Sequence, residues 1–477
     1  MDLQNNSRTK IIATIGPASE SKNILQKMFE AGIDVCRLNF SHGTHEKHRQ
    51  IIQNIRDVNK ELGTNVAILA DLQGPKIRIG EIKNDSVFLE DGSTVQLVTK
   101  PCIGDKNKIY LSYHTFAGDA RPGETILVDD GKIKLEVVQS NQQDTVEVRV
   151  VHGGMLSSRK GVNLPNTKIS LPSLTEKDLE DARFIINQDV DWIALSFVRS
   201  AEDIRKLREL IHKAGKDIGI VAKIEKPEAL ENIDAIIGQS DALMIARGDL
   251  GVEVSYDQVP YHQKIIVKKC IQQSKPVIIA TQMLESMITN FRPTRAEASD
   301  VANAVFDGAD CLMLSGETSV GKYPVETIQA MQRIIDFAER TEYEKKQYHM
   351  PEKDSSMYIA DMVCYNASVM ADVTDARAII TFTAKGNTAI KISSQRPATK
   401  IYAFTSNPDT IRKLSLVWGV ETYYQKPYNR VNEAIQDSID FLKANSLIKT
   451  GDVVVHLGSL PELQSDVINV MKVDTIE

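Results

Sequence analysis

Charged and hydroxyl side chains recur at intervals of two residues near the ends of several short apolar segments. The set consists of Arg37, Asn39 and Ser41; Lys223 and Glu225; Arg247 and Asp249; and Asp71, Thr281, Ser315, Glu317 and Thr318. Residues two apart in a β-strand point to the same side. Charged side chains that converge on one mouth repel one another unless a polyanionic ligand and metal ions neutralise them. The set therefore predicts a site for an anionic ligand and a metal.

Two carboxylates in this set predict a magnesium site. Glu225 and Asp249 come from neighbouring apolar segments, and Mg²⁺ prefers a few carboxylate ligands beside ligand oxygens and water. Lys223 precedes Glu225 by two residues, which brings its ammonium close to oxygen charge that develops during phosphoryl transfer. Further positive charge suited to phosphates comes from Arg37, Arg78 and Lys160.

Two other motifs are weaker. The segment GETSVGKY (316–323) fits a P-loop pattern except that Tyr323 stands where Ser or Thr must bind the metal, and it follows the last of the apolar runs described below. His42, His45 and His48 have three-residue spacing but no cysteine or acidic partner for zinc. We interpret His42 as a helix-capping or phosphate-binding residue.

Short apolar runs carry the polar set. They occupy residues 10–17, 34–41, 66–72, 191–198, 219–225, 242–249, 276–281 and 311–318. Such runs of Val, Ile, Leu and Ala are typical of parallel strands buried on both faces. Segments with helical spacing lie between them, at 22–31, 45–62, 176–187, 201–214, 228–237, 258–274, 295–306 and 325–340. The alternation predicts a closed (β/α)₈ barrel of the TIM type, with its active site at the carboxyl ends of the strands.

Residues 73–170 interrupt the alternation. They contain short alternating runs and the Asp-Gly pairs 91–92 and 130–131, which mark β-hairpins. We expect an inserted antiparallel β-barrel domain that closes over the active site as a lid. The catalytic barrel then comprises residues 1–72 and 171–342.

A polar stretch, TEYEKKQYHMPEKDSS, follows Arg340 and predicts the last domain boundary. Beyond it, helical spacing over 358–370 precedes short strands in ARAIITFT, TKIYAFT, GVETYY and DVVVHLG. We expect residues 343–477 to form a C-terminal α/β regulatory domain.

Composition restricts the class of protein. The chain is 42% hydrophobic and 25% charged, and its 57 basic and 64 acidic residues give a net charge of −7, which argues against a nucleic-acid partner. The sequence shows no signal-like start and no apolar run of about 18 residues, so we expect no membrane association and a cytoplasmic location. The cysteines are odd in number and widely spaced, which favours reduced core thiols.

Longer motifs are more specific than any strand end. They are RLNFSHGTH (37–45), KIEKPE (223–228), ARGDLGVE (246–253), ATQMLESM (280–287), RPTRAEASDVANAV (292–305) and LSGETSVGKYP (314–324). The sequence resembles the pyruvate kinase family across all three expected domains, whose order and size also agree with that family. The resemblance implies transfer of the phosphoryl group of phosphoenolpyruvate to ADP, giving pyruvate and ATP at the last step of glycolysis.

The resemblance also implies roles for the polar set. Glu225 and Asp249 hold Mg²⁺, and Lys223 stabilises the phosphoryl group during its transfer. Arg37 contacts the same phosphate. A second Mg²⁺ accompanies the nucleotide.

The remaining implied roles concern the substrate carboxylate, the proton and the nucleotide. Gly248 and Asp249 contact the carboxylate through backbone N–H groups, and Thr281 contacts it through its hydroxyl. Thr281 or Ser315 lies on the path of the proton that reaches the enolate. The implied nucleotide-binding residues are Pro17, Asn39, His42, Arg78 and Lys160.

The chain departs from the K⁺-dependent members of the family. The positions of the monovalent-cation pocket are Asn39, Ser41, Asp71, Leu72 through its carbonyl, and Lys76. In DLQGPKIR (71–78), Leu72, Gln73 and Lys76 replace the Thr, Lys and Glu of those members. A lysine ammonium is a compact monocation that can stand in the place of K⁺, beside Asp71. We therefore expect activity without K⁺.

The C-terminal domain departs from members activated by fructose bisphosphate. The loop GSLPELQSD (458–466) lacks basic and glycine-rich character, and Glu462 would repel a phosphate. The segment TAKGNTA (383–389) still resembles a phosphate-binding turn, so a sugar-monophosphate or nucleotide effector is expected. The resemblance further implies a homotetramer.

Two alternatives stay open on the sequence. A Mg²⁺-dependent carbon–carbon lyase would also stabilise a pyruvate enolate in such a barrel, although the lid and Lys223 argue against it. A non-catalytic regulatory protein with the same fold is disfavoured, because every charged position that the chemistry needs is filled.

Overall fold

The computed structural model describes residues 7–341, 350–351, 353, 357–427, 430–458 and 468–477. Residues 459–466 of the predicted loop 458–466, which include Glu462, lie outside this part, as does most of the polar stretch after Arg340. Within it, the chain forms a closed parallel barrel, an inserted β domain and a C-terminal α/β domain, which confirms the predicted fold class.

The strands alternate between these units in chain order. They are β1 (Lys10–Thr14), β2 (Val35–Asn39), β3 (Ala67–Asp71), β4 (Ser86–Leu89), β5 (Thr94–Val98), β6 (Lys108–Tyr110), β7 (Thr125–Val128), β8 (Ile133–Ser140), β9 (Thr145–His152), β10 (Gly154–Ser157), β11 (Val162–Asn163), β12 (Trp192–Leu195), β13 (Gly219–Ile224), β14 (Ala242–Ala246), β15 (Val277–Ala280), β16 (Cys311–Leu314), β17 (Ala378–Phe382), β18 (Lys400–Thr405), β19 (Val420–Tyr424), β20 (Val453–Gly458) and β21 (Val470–Thr475).

The helices lie mainly between barrel strands and in the C-terminal domain. They are α1 (Lys22–Glu30), α2 (His45–Leu62), α3 (Phe116–Asp119), α4 (Glu176–Ile186), α5 (Ala201–Lys213), α6 (Pro227–Glu231), α7 (Ile233–Gln239), α8 (Arg247–Glu253), α9 (Val259–Gln272), α10 (Arg295–Phe306), α11 (Gly316–Ser319), α12 (Pro324–Arg340), α13 (Tyr358–Val373), α14 (Asn387–Ser394), α15 (Pro408–Lys413) and α16 (Val431–Ala444). Short 3₁₀ turns cover Lys83–Asp85, Glu285–Ile288 and Leu414–Leu416.

The structure contains two helices where the sequence predicted one. The segment 228–237 divides into α6 and α7 at Asn232, whose backbone leaves the helical region at ψ 15°. The Asn232 side-chain amide donates to the carbonyls of Glu228 and Arg199. A side chain that bonds the backbone in this way competes with helix continuation.

The barrel closes in the order β1-β16-β15-β14-β13-β12-β3-β2, and all its pairs are parallel. Its strand residues are nearly all buried, as expected for a sheet covered by helices outside and filled by side chains inside. At its amino-terminal end, Leu416 of the C-terminal domain packs among barrel-interior residues such as Trp192 and Cys311. The C-terminal domain thus closes the base of the barrel.

The inserted β domain, called the lid below, connects to the barrel rim through segments near 72–80 and 160–175. Its strands form a six-stranded sheet, β11-β7-β8-β9-β5-β6, and a two-stranded sheet, β10-β4. The pairs are antiparallel except β5–β6. A separate apolar cluster forms its core.

The C-terminal domain has a five-stranded sheet, β19-β18-β17-β20-β21, with an antiparallel edge strand β21.

In the described ranges, none of the helices combines the length and apolar character needed to cross a bilayer. All five cysteines are unpaired, and Cys36, Cys270, Cys311 and Cys364 are buried.

Candidate functional site

The carboxyl ends of β2, β3 and β13 bring together four of the predicted residues. Asp71 Oδ2 accepts from Arg37 Nε at 2.8 Å, and Asp71 Oδ1 lies 3.2 Å from Lys223 Nζ. Lys223 Nζ also lies 3.0 Å from Glu225 Oε1. Lys223 is 9% exposed and Glu225 1% exposed. The parallel barrel thus concentrates alternating charges in one buried network at its mouth.

Two hydroxyl groups complete this network, and neither was singled out from the sequence. Thr14 Oγ1 accepts from Arg37 Nη1 at 2.9 Å and donates to the Leu314 carbonyl at 2.8 Å. Ser196 Oγ accepts from Lys223 Nζ at 2.6 Å and donates to the Leu72 carbonyl at 2.7 Å. Thr14 ends β1 and Ser196 directly follows β12, so the two-residue rule that found Arg37 would also have found them.

The electrostatics of the network are unequal. Burial acts to raise the pKa of Asp71, but Lys223 and Arg37 outweigh it and hold the pKa below its ordinary value. Burial acts to lower the pKa of Lys223, but Asp71 and Glu225 raise it well above its ordinary value. Both groups are therefore charged at neutral pH.

Glu225 is the member of the network whose charged form is disfavoured. Burial raises its pKa, Lys223 opposes the shift, and the charges of Asp249 and Asp71 add to it. Its Oε2 accepts from the Phe197 N–H at 2.7 Å. Its ionised form is the one that a further cation would stabilise.

The second predicted metal ligand lies on α8, where Asp249 is partly exposed. Its Oδ1 lies 3.5 Å from Lys76 Nζ. Lys76 was expected beside Asp71, but the structure places its ammonium at Asp249.

The carbonyl of Leu72, another member of the predicted cation pocket, is bonded to Ser196, and Asn39 Oδ1 accepts from the Ser41 N–H at 3.1 Å.

A strained turn follows β15. Thr281 and Gln282 have φ values of 70° and 55°, which are unfavourable for any residue but glycine and most of all for a β-branched one. Thr281 Oγ1 accepts from the Gly248 N–H at 2.8 Å, and Arg247 Nη2 donates to the Thr281 carbonyl at 2.8 Å. The first two residues of α8 thus hold Thr281 at the mouth.

The proton-path candidate Ser315 follows β16. Its N–H donates to Glu317 Oε2 at 2.7 Å, and Glu317 Oε1 accepts from the Leu284 N–H at 3.2 Å. Glu317 is fully buried. It therefore joins the loops after β15 and β16 instead of facing a ligand.

The predicted nucleotide residues fall into two groups. Pro17 and His42 are exposed on the barrel side. Arg78 and Lys160 lie on adjacent lid segments, since Arg78 pairs with Gly161 in a β-bridge. Lys160 Nζ is 2.9 Å from Asp129 Oδ1, and Arg78 Nη1 donates to the Arg159 carbonyl at 3.2 Å. The first group thus belongs to the barrel and the second to the lid.

The histidine triplet does not assemble a metal site. His45 Nε2 lies 2.7 Å from Asp181 Oδ1, and His48 Nε2 lies 2.9 Å from the His42 carbonyl. Among the described residues, no group of three or more His, Cys, Asp or Glu side chains is arranged to hold a metal. The pair Glu225 and Asp249 therefore needs oxygens from a ligand or from water to complete a magnesium site.

Two family models match this chain. The model described as "Pyruvate kinase, barrel domain" matches residues 6–328, and the one described as "Pyruvate kinase, alpha/beta domain" matches residues 361–474.

Named relatives match over nearly the whole chain. A pyruvate kinase of Geobacillus stearothermophilus is 44% identical over 472 residues, which cover 98% of this chain and 80% of the relative. A pyruvate kinase of Mycobacterium tuberculosis is 41% identical over 455 residues, which cover 95% of each. A crystal structure of a pyruvate kinase from Cryptosporidium parvum has a TM-score of 0.93 and 35% identity, and covers 100% of this chain and 97% of its own.

Proposed function

The chain belongs to the pyruvate kinase family, and we propose that it transfers the phosphoryl group of phosphoenolpyruvate to ADP at the barrel mouth. The observation that carries this assignment of the site is the position of Lys223. Its buried ammonium is held by Asp71, Glu225 and Ser196 at distances of 2.6 to 3.2 Å. A fixed cation in a low-dielectric site stabilises the charge on phosphoryl oxygens during transfer without reorganising.

Arg37 and Thr281 position the substrate. The Arg37 guanidinium is fixed by Asp71 and Thr14, so its orientation toward a phosphate is set before the substrate binds. Thr281 and the Gly248 N–H, which already bond each other, are proposed to receive the substrate carboxylate with the Asp249 N–H. Thr281 or Ser315 is proposed to lie on the path along which water delivers a proton to the enolate carbon.

The residues present fit a magnesium ion. Glu225 has a buried carboxylate with a raised pKa, and the Asp249 carboxylate is open to solvent; hard oxygen donors of this kind suit Mg²⁺. Magnesium bound by these two carboxylates would neutralise charge on the phosphate and on the enolate oxygen. The second Mg²⁺ is proposed to enter with the nucleotide, whose phosphates meet Arg78 and Lys160 from the lid and Pro17, Asn39 and His42 from the barrel.

Lys76 is proposed to replace K⁺. Its ammonium lies at the mouth, 3.5 Å from Asp249, and supplies there the single positive charge that K⁺ supplies in K⁺-dependent members. Asn39, Ser41, Asp71 and the Leu72 carbonyl would otherwise bind that cation, and the last of these is occupied by Ser196.

The finer assignments outside the barrel mouth are also proposals. Residues 383–389 comprise the turn before α14 and the first residues of that helix; in the turn, Gly386 has φ 89° and its N–H donates to Thr383 Oγ1 at 2.9 Å. This turn, at a helix N-terminus, supports a phosphorylated effector such as a sugar monophosphate or a nucleotide. We further propose a homotetramer that works in the cytoplasm.

A coupled assay tests the function. Pyruvate should appear from phosphoenolpyruvate only when both ADP and Mg²⁺ are present. Titration calorimetry with ADP separates this function from a carbon–carbon lyase, which has no use for a nucleotide. A chain that cleaves a carbon–carbon bond but does not bind ADP would overturn the proposal.

A further inference from the structure

We propose that Glu253 is a positioning residue that links the lid to the magnesium site through a buried bridge to Lys226 and Asn163. We call these three residues the Glu253 bridge. The inference rests on the proposed function, in which Glu225 and Asp249 hold the metal.

One carboxylate oxygen gathers donors from the barrel rim and the lid. Lys226 Nζ donates to Glu253 Oε1 at 2.7 Å, and Asn163 Nδ2 donates to the same oxygen at 2.9 Å. The side chains of Lys226 and Glu253 are only 6% and 1% exposed. This bridge is therefore not one of the solvent-screened surface pairs that contribute little.

The bridge joins the two elements that carry the metal ligands. Lys226 follows Glu225 directly, after β13, and Glu253 ends α8 one turn beyond Asp249. Residues four apart lie on the same face of a helix. The Lys226–Glu253 contact therefore fixes how α8 sits against the end of β13, and with it the separation of the two metal-binding carboxylates.

Asn163 ties the same point to the lid. It belongs to β11, and the N–H of its neighbour Val162 donates to the Ile77 carbonyl at 3.0 Å. Both segments that enter the lid thus meet the bridge region. A cavity of about 20 Å³, room for roughly one water, is lined there by Lys76, Asn163, Lys226, Asp249 and Glu253 among others.

One oxygen of the bridge has no protein partner. Glu253 Oε2 is buried and accepts no hydrogen bond from another residue in the described part of the chain, and the cavity with room for one water lies beside Glu253. An apolar pair of similar volume would often serve stability as well as a buried ion pair. The arrangement fits a contact that changes when the lid moves, since Asn163 can then leave or rejoin the carboxylate.

Coupling between lid and metal follows from this geometry. If lid position alters the Glu253 bridge, it alters the spacing of Glu225 and Asp249. Any ligand that closes the lid then changes metal affinity, and the metal changes the affinity for that ligand by the same factor.

The test measures metal binding directly, with Mn²⁺ in place of Mg²⁺ and free Mn²⁺ followed by electron paramagnetic resonance on the full chain without substrates. Glu253→Gln and Lys226→Met should each raise the Kd for Mn²⁺ about 10-fold, a typical cost of removing a group that orients a metal ligand. The double variant should cost no more than the larger single effect. Lys226→Arg should restore tight binding.

Asn163→Ala isolates the lid arm. It should raise the Kd two- to threefold in the native background and have no effect beside Glu253→Gln, because both act through one carboxylate. Hydrogen exchange should rise in lid-entry residues 160–165 of this variant. Lys10→Met removes a comparably buried lysine at the opposite end of the barrel, where Lys10 pairs with Asp34, and should leave the Kd unchanged.

The outcomes separate the inference from its premise. A Kd that is unchanged in Glu225→Gln would overturn the proposed metal site itself. A Kd that rises in Glu225→Gln but stays native in Glu253→Gln would overturn the bridge. Additive effects of Asn163→Ala and Glu253→Gln would also overturn it. The isosteric Glu253→Gln and the partly exposed Asn163→Ala keep the test decisive if Lys226→Met does not fold.

Discussion

Both ends of the barrel bury carboxylates next to basic side chains, but the two sets differ in what donates to their oxygens. At the base, the residue immediately before β2, β12, β14 and β16 is an aspartate whose carboxylate accepts a backbone N–H from the preceding strand of the barrel. The pairs are Asp34 with Ile11, Asp191 with Ile68, Asp241 with Ile220 and Asp310 with Val277, all at 2.8 to 3.0 Å.

The base aspartates also bind cations that complete their bonding. Asp310 receives Arg396 at 2.8 Å and the Trp418 N–H at 3.2 Å from the C-terminal domain. Asp191 receives Arg412 at 2.7 Å from that domain and Arg56 at 2.8 Å from α2. Since both carboxylate oxygens of Asp191 and of Asp310 have donors, these two charges need no ligand.

The mouth is bonded differently. Asp71 accepts from the side chains of two cations, Arg37 and Lys223, whereas each base aspartate accepts from a backbone N–H. A raised pKa does not separate the two ends, since burial raises the pKa of Asp34 at the base as well as that of Glu225 at the mouth. The comparison of Asp71 with the base aspartates teaches that a buried carboxylate held by cationic side chains at the carboxyl ends of the strands indicates function, and one that also accepts a backbone N–H from a neighbouring strand indicates structure.

The largest effect should come from the mouth. Lys223→Met should lower phosphoryl transfer by about 10³-fold or more, because it removes charge stabilisation in the transition state. Exchange of the C3 protons of pyruvate with solvent should stay measurable, since it needs the metal and the enolate only. The coupled assay and proton exchange by NMR provide the measurements. Lys10→Met is the control at the base and should keep both activities; equal loss of both in Lys223→Met would show that its role is misassigned.

The base should respond in stability instead. Asp310→Ala should lower the free energy of unfolding by about 3 kcal/mol, because Arg396 and two N–H groups lose a buried partner. Urea unfolding followed by tryptophan fluorescence measures it, since Trp418 reports the domain junction. Activity per folded molecule should stay within twofold. A stable but inactive Asp310→Ala variant would contradict the division between the two ends.

A pH series tests whether the raised pKa of Glu225 makes protons compete with the metal. The raised pKa means that the carboxylate without metal takes up a proton more readily than an ordinary glutamate, so protons compete with the metal. As pH falls through that pKa, Mn²⁺ affinity should decline by up to about 10-fold per pH unit. In Glu225→Gln this part of the pH dependence should disappear. A wild-type affinity that is flat down to the ordinary pKa of glutamate would be inconsistent with the described electrostatics.

The smallest effect concerns the monovalent cation. The native chain should have nearly equal activity in K⁺ and in tetramethylammonium at matched ionic strength, because Lys76 provides the charge. Lys76→Glu should lower activity and make K⁺ stimulatory several-fold, and Lys76→Gln should be slower without that stimulation. Strong activation of the native chain by K⁺ would contradict the proposed role of Lys76.

Much of the site could be predicted because a barrel strand has a fixed direction and a period of two. This geometry places Arg37, Lys223 and Asp71 at one mouth of the barrel. The same two-residue rule would have included Thr14 and Ser196 if it had been applied to every apolar run. The predicted helices followed from the spacing of apolar residues, and the structure differs where Asn232 bonds the backbone and divides one helix. The base aspartates are visible in the sequence as residues that precede strands, but nothing local gives their partners.

By itself, the sequence determined the order of strands and helices, the inserted β domain, and the end of the barrel at which the charges gather. Tertiary structure decided which charges meet. Lys76 lies beside Asp249 and not Asp71, and Asn163 reaches Glu253 across 90 positions. Such contacts depend on how the lid and α8 pack against the barrel rim, and no periodic pattern in the sequence encodes that packing. Side chains of distant segments can bond only after the backbone has brought them within a few ångströms of each other.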